Sequence, residues 1–298
     1  MSEQRIFDSE TPLPDVGLGK RQTTLLGFDA RYARVRDQLR LLLRQGELAA
    51  WSMKHHGTRL PVCDLVSEQY PLVIFHGDVG TGKTATAECI ANRLIADAKI
   101  DDCLLFKLRN RVRGSGKVGE MGALLAQAFQ KVTQSAGKTR SAMLIIDEGD
   151  SLAATRTQEH SHHEDKVAVN TLIQCIDDLR KLGGRVVVFL CTNRLSILDA
   201  ALRRRAALVE EFRRPDENER RQLLSMDLSG VGLSAQEIEG LVAATGAKNG
   251  GPPWTFSDIR TRLYPAALAS AFPSQGLNYE HLKSAAESMR ATPVMEDA

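Results

Sequence analysis

The run Gly77-Asp78-Val79-Gly80-Thr81-Gly82-Lys83-Thr84 constrains this chain more than any other feature, because it carries the full glycine, lysine and hydroxyl spacing of a phosphate-binding loop. Such a loop needs a strand before it and a helix after it. Pro71-Leu72-Val73-Ile74-Phe75-His76 is a continuous apolar run of strand length, and Ala85 to Ala98 is rich in helix formers. The glycines let backbone N–H groups close around phosphates. Lys83 offers a point charge to the β- and γ-phosphates, and the Thr84 hydroxyl suits one position on Mg²⁺. The expected nucleotide-binding set is therefore Gly77, Asp78, Val79, Gly80, Thr81, Gly82, Lys83, Thr84 and Ala85, with ATP and Mg²⁺ as cofactors.

Two more apolar runs end in polar groups that suit triphosphate chemistry. Met143-Leu144-Ile145-Ile146-Asp147-Glu148 closes on adjacent acids, of which Asp147 can hold Mg²⁺ through water and Glu148 can polarise an attacking water. Alone, the pattern also describes a strand entering a solvated loop; its position downstream of the phosphate loop favours the catalytic reading. Val186-Val187-Val188-Phe189-Leu190-Cys191-Thr192-Asn193 ends in an amide that can orient the lytic water. Leu198-Asp199-Ala200-Ala201-Leu202-Arg203-Arg204-Arg205 follows, and an arginine offered to a neighbouring subunit can neutralise charge in the transition state. Arg205 ranks ahead of Arg204 for that role and Arg203 reads as structural, although a solvated helix end also accounts for the cluster.

The 298 residues, 43% of them apolar, can build a large core and two unequal domains. A formal charge of +2 gives no global pull toward nucleic acid or membrane. Met1 to Glu10 lacks a secretory apolar region and no run approaches membrane-spanning length, so a cytoplasmic protein is expected. Cys63, Cys89, Cys103, Cys175 and Cys191 are scattered without metal-ligand spacing and read as reduced, mostly core thiols. His160, His162 and His163 lie among Glu159, Glu164 and Asp165, a composition open to metal binding but better suited to a polar loop.

Residues 1–22 read as a flexible arm, broken by Pro12, Pro14, Gly17 and Gly19. Phe28 to Arg44 has the spacing of an amphipathic helix, and Thr58 to Tyr70 reads as an irregular connection. Strands are predicted at Cys103–Leu108, Met143–Asp147, Arg185–Cys191 and Leu208–Phe212, with helices between them at Val118–Thr133 and Lys166–Leu182. That alternation argues for an α/β fold with a parallel sheet and the site at the strand C-terminal ends. Pro215 marks a hinge, so residues 23–212 form the expected large domain and 213–298 a small helical one.

The order of phosphate loop, Asp-Glu strand end, Asn strand end and arginine cluster resembles the AAA+ ATPases from about Leu26 to the C-terminus. The resemblance implies a three-layer αβα domain with a parallel sheet, plus a small C-terminal helical lid. Leu26-Gly27-Phe28-Asp29 is similar to the family segment that lies against adenine, which adds Gly27 to the nucleotide set. Arg260 is a candidate lid arginine for the γ-phosphate, though lid arginines also serve solubility.

Three softer stretches resemble the pachytene-checkpoint AAA+ ATPases, which remodel HORMA-domain proteins: Val118 to Val132, Val167 to Asp177, and Thr192-Asn193 to Arg205-Ala206. The likeness implies a hexameric ring that uses ATP to engage and partly unfold a HORMA partner, as in bacterial antiphage systems, with Arg205 at the finger position. It also implies a substrate pore loop at Lys117, Val118 and Gly119, with Lys117 where many unfoldases carry an aromatic. Only about seventy residues precede the phosphate loop, so the separate N-domain of eukaryotic relatives is not expected. Lys107, Arg109, Arg111, Arg113 and Lys117 could rim the pore as a basic belt, form a solvated edge or contact DNA. A peptide ranks ahead of DNA because interleaved aromatics for base stacking are missing. The alternatives are a DNA-acting AAA+ ATPase of clamp-loader or transposition-regulator type, and a non-catalytic ATP switch, which would have no need of the Asp147-Glu148 pair.

Overall fold

The computed structural model describes residues 6–108, 120–149, 163–248 and 250–295. They divide into two compact units, Met1–His76 with Thr84–Glu211, and Gly77–Lys83 with Phe212–Ala298. The phosphate loop therefore groups with the C-terminal unit, although it emerges from a strand of the first.

The larger unit is built on a six-stranded sheet: β1 (Phe7–Leu13), β2 (Leu72–Gly77), β3 (Cys103–Leu108), β4 (Ser141–Ile146), β5 (Val186–Thr192) and β6 (Leu208–Phe212), in the order β1-β3-β4-β5-β2-β6. Pairs β3–β4, β4–β5 and β2–β5 are parallel. Every residue of β4 and β5 is buried, which accounts for their unbroken apolar sequence, since a central parallel strand is covered on both faces. One face, with Ile74, Phe106, Leu144 and Val188, packs on Leu125, Phe129 and Val132 of α6 (Glu120–Ala136) and Leu172 and Ile176 of α7 (His163–Leu179). The alternate residues Val73, Phe75, Met143, Ile145, Val187 and Phe189 are equally inaccessible.

The N-terminal segment departs from the sequence expectation. In place of a flexible arm, β1 pairs antiparallel with β3, and α1 (Val16–Gln22) follows it. Only Phe7 and Leu13 of β1 are buried, and Pro12 is tolerated because the strand lies at the sheet edge. No residue of α1 is buried. Distant partners hold it on α5 (Lys83–Asp97): Asp15 N–H donates to Asn92 Oδ1 at 2.6 Å, Asn92 Nδ2 donates to Asp15 O at 3.0 Å, and Arg21 pairs with Glu88 at 2.6 Å. The connection before β2 also differs. After α2 (Phe28–Leu43) come α3 (Gln45–His56) and α4 (Pro61–Ser67), so the stretch expected to be irregular contains a helix opened by Pro61. The sheet is parallel in its centre, as expected, and the N-terminal β1 adds an antiparallel edge to it.

After β5 comes α8 (Ala200–Arg205), capped by the Asp199 carboxylate on Ala201 N–H at 2.8 Å. The smaller unit carries α9 (Glu217–Asp227), α10 (Ala235–Ala244), a π-helical turn at Asp258–Leu263, α11 (Tyr264–Ala271) and α12 (Tyr279–Ser288). Capping boxes, Asp216 with Glu219 and Ser234 with Glu237, start α9 and α10. Leu223, Leu224, Leu241, Trp254, Ile259, Leu263 and Leu282 are buried there.

Candidate functional site: a phosphate loop and its strand-end acids

In the larger unit the parallel register aligns the C-terminal ends of three strands. Ile146 lies opposite Leu190, and His76 opposite Thr192, so Asp147 follows β4 close to where Asn193 follows β5. Thr84, in the first turn of α5, donates its hydroxyl to Asp147 Oδ2 at 2.8 Å. A hydroxyl and a carboxylate in direct contact at a phosphate loop form the donor pair an octahedral Mg²⁺ takes, so the residues present fit the ion. Glu148 comes next, with its N–H on Asp147 Oδ1 at 3.0 Å and a positive φ of 50°. A non-glycine residue held there costs about 1–3 kcal/mol. Gly149 packs closely on β5: a Cβ on it would lie 2.6 Å from Leu190 Cδ1 and 3.3 Å from Cys191 O. Asn193 is half-buried and its side chain bonds to no other described residue.

The phosphate loop itself is closed in the second unit. Lys83, 7% exposed, donates from Nζ to the carbonyls of Gly77 and Asp78, both at 2.8 Å. Thr81 Oγ1 donates to Asp78 O at 2.7 Å, and Val79 N–H to Asp78 Oδ1 at 2.8 Å. Gly77 and Gly80 have φ of 132° and 76°; a Cβ would lie 2.0 Å from Phe212 O at the first and 2.7 Å from Thr255 Oγ1 at the second. Glycine is thus required at both by backbone conformation and by space.

The other expected residues are distributed as follows. Gly27 is the left-handed N-cap of α2, next to Leu26, whose carbonyl accepts from Arg31 Nη1 at 3.1 Å. Ala85 lies in the first turn of α5. Arg205 is tied within its own chain: Nε and Nη2 donate to the Asp177 carboxylate at 2.5 and 2.9 Å, and the guanidinium lies 5.3 Å from the Tyr70 ring. The hydrogen bond to Asp177 makes Arg205 harder still to deprotonate. Arg204 is exposed, with no ion pair to any described residue. Arg260 pairs with Asp227 through two hydrogen bonds of 2.7 and 2.8 Å in the second unit. Lys107 is bound to Glu88 at 3.2 Å. Lys117, Val118 and Gly119, and likewise Arg109, Arg111, Arg113, His160 and His162, lie outside the described residues.

Cys89, on α5, is pushed up to about 11 by burial, and Cys103 and Cys175 to about 12 and 11 by the same cause, so these thiols stay protonated and serve packing. Arg214, which the sequence marks only as part of a hinge, is also tied to the phosphate loop. It is 8% exposed and donates from Nε to Asp78 Oδ2 at 2.5 Å. The available signal was the unneutralised Asp78 inside a loop built for anions.

Comparison with known proteins agrees with this geometry. The sequence model of the ATPase family associated with various cellular activities (AAA) matches residues 73–214, which spans the phosphate loop, both strand ends and the arginine cluster. CD-NTase-associated protein 6 of Escherichia coli KTE188 is 63% identical over 297 residues, covering 100% of each chain. The chain belongs to the AAA ATPases, in the group of CD-NTase-associated protein 6. Membership carries nucleotide binding with it. Among solved structures, a chain of the E. coli MS115-1 HORMA:CdnC:Trip13 complex superposes with a TM-score of 0.87 at 35% identity, covering 97% of both chains. Rhizobiales Trip13 superposes with a TM-score of 0.69 at 31% identity over 96% of this chain and 99% of that one. These ATPases share the αβα domain and C-terminal helical unit, so the pachytene-checkpoint likeness read from the sequence holds.

Proposed function

We propose that this ATPase is a hexameric remodeller that spends ATP hydrolysis on engaging and partly unfolding a HORMA-domain protein in a bacterial antiphage system. The observation that carries the reading is the end-to-end likeness to a chain solved in complex with a HORMA protein and CdnC, in a chain whose phosphate loop and acid pair are intact. Lys83 and Thr84 bind the triphosphate, and Thr84 with Asp147 holds Mg²⁺, which when bound neutralises phosphate charge. Glu148 takes the proton of the attacking water and Asn193 orients that water. Arg205 serves a neighbouring subunit's site. Its pairing with Asp177 supports that reading in one respect: the guanidinium is held in a fixed direction at the end of α8 before any neighbour arrives. Gly27 borders the adenine, Arg260 reaches the γ-phosphate after leaving Asp227, and Lys117, Val118 and Gly119 contact the substrate.

The test is turnover in Glu148→Gln. The substitution keeps shape and hydrogen bonding but removes the base, so ATP binding persists while hydrolysis falls by about two orders of magnitude or more. Wild-type turnover in that variant refutes the assignment of Glu148.

A further inference from the structure

Asp78 places a carboxylate inside a loop whose backbone exists to bind phosphate. Left alone, that charge opposes the ligand, and its burial makes the opposition stronger. Arg214 lies against it at 2.5 Å, and both side chains are nearly enclosed, 8% exposed for Arg214 and 13% for Asp78. The same guanidinium has three further acceptors: Pro253 O at 2.8 Å, Thr292 O at 2.8 Å and Pro293 O at 3.0 Å. Two of the four come from the C-terminal segment beyond α12.

That segment is held a second time. Thr292 donates its hydroxyl to Asp258 Oδ1 at 2.6 Å and its N–H to Oδ2 at 3.2 Å. Asp258 Oδ2 also accepts from Thr255 N–H at 3.0 Å, and Asp258 N–H donates to Thr255 Oγ1 at 3.0 Å. Thr255 and Ser257 in turn abut the phosphate loop: Ser257 N–H donates to Gly80 O at 3.0 Å, and a Cβ on Gly80 would strike Thr255 Oγ1 at 2.7 Å. The loop is thus gripped at Asp78 and at Gly80, and one short stretch, Thr292-Pro293, joins the two grips.

We propose that Thr292-Pro293 is a strap that sets the phosphate loop through Arg214 and Asp258, with Arg214 a positioning residue that neutralises Asp78 and so governs affinity for a nucleoside triphosphate. Arg214 touches no reacting atom. Removing it leaves the Asp78 carboxylate uncompensated in the loop, whereas removing both charges restores the loop's net charge. Deleting the strap frees Arg214 from two of its acceptors and Asp258 from two of its donors. The inference rests on the phosphate loop binding ATP.

The experiment measures MgATP affinity with a fluorescent ATP analogue, and KM and kcat for ATP, in the wild type, R214M, R214M/D78N and a chain ending at Ala291, with circular dichroism confirming fold. The proposal expects dissociation constant and KM to rise about ten-fold or more in R214M and in the truncated chain, with kcat at saturating ATP within about three-fold of wild type. It also expects R214M/D78N to bind MgATP at least about three-fold more tightly than R214M alone. Wild-type affinity in R214M or in the truncated chain overturns it, as does a double variant no better than the single. Should R214M fail to fold, the truncated chain decides alone. A wild-type protein that does not bind the analogue instead refutes the ATP reading itself, so the two failures are distinct.

Discussion

Phe7→Ala tests the element that the sequence concealed. The Phe7 ring is 6% exposed, its centroid lies 4.9 Å from that of Phe106 at an interplanar angle of 53°, and Lys131 Nζ sits 5.2 Å above it. Phe106 belongs to β3, whose outer edge is paired only by β1. Truncating a buried phenylalanine costs about 3–5 kcal/mol. The edge position lets the cavity collapse partly, which argues for the lower figure, about 3 kcal/mol. At roughly 2–4 °C per kcal/mol for a unit of this size, the melting temperature of the larger unit falls by roughly 6–12 °C. Glu10→Ala provides the contrast: its ion pair with Lys131 is half-exposed on both sides, so the loss stays below about 1 kcal/mol. Differential scanning calorimetry reads both. A Phe7→Ala shift under about 2 °C, or one equal to that of Glu10→Ala, refutes the docking of β1 and the energetic reasoning with it.

Arg205→Ala is expected to cut turnover by about two orders of magnitude or more with ATP binding retained, and mixing it with Glu148→Gln protein should recover part of the activity. Each variant supplies the part the other lacks, so an additive mixture with no recovery contradicts action in trans. Thr84→Ala removes the 2.8 Å contact to Asp147 together with one proposed Mg²⁺ ligand, so the Mg²⁺ concentration for half-maximal turnover should rise about ten-fold; an unchanged Mg²⁺ titration refutes the ligand assignment. At Asp258, burial pushes the carboxyl up, but bonds from Thr292, Thr255 and Arg262 outweigh it and hold it below its ordinary value. A group depressed on folding stabilises above its unfolded value of about 3.9 and loses that contribution as pH falls through its folded value. Fluorescence of the buried Trp254 in a Trp51→Phe background should therefore report loosening of the smaller unit below about pH 4, and Asp258→Asn should remove that acid-dependent component.

What could be read in advance was what local pattern dictates. The phosphate loop, the buried runs of β4 and β5 and the amphipathic spacing of α2 follow from spacing and hydrophobicity alone, and they appear where expected within a residue or two. The Arg205–Asp177 pair was not legible: the Val167–Asp177 stretch carries a family likeness, but that its Asp177 grips Arg205 depends on how α7 packs. Residues 6–22 were illegible because their anchors lie far along the chain: Asn92 and Glu88 for α1, and β3 for β1. No local window contains both members of those pairs. The Arg214–Asp78 pair spans 136 positions and was hidden for the same reason.

The central claim is that ATP hydrolysis is spent on a HORMA-domain protein, and the most direct measurement is capture by Glu148→Gln protein held in ATP, from its native cell extract, with bound species identified by mass spectrometry and nuclease-sensitive staining. The account predicts a HORMA-domain protein that remains bound while ATP is present and is released when hydrolysis-competent subunits are supplied. Recovery of nucleic acid without such a protein contradicts it and favours a DNA-acting ATPase.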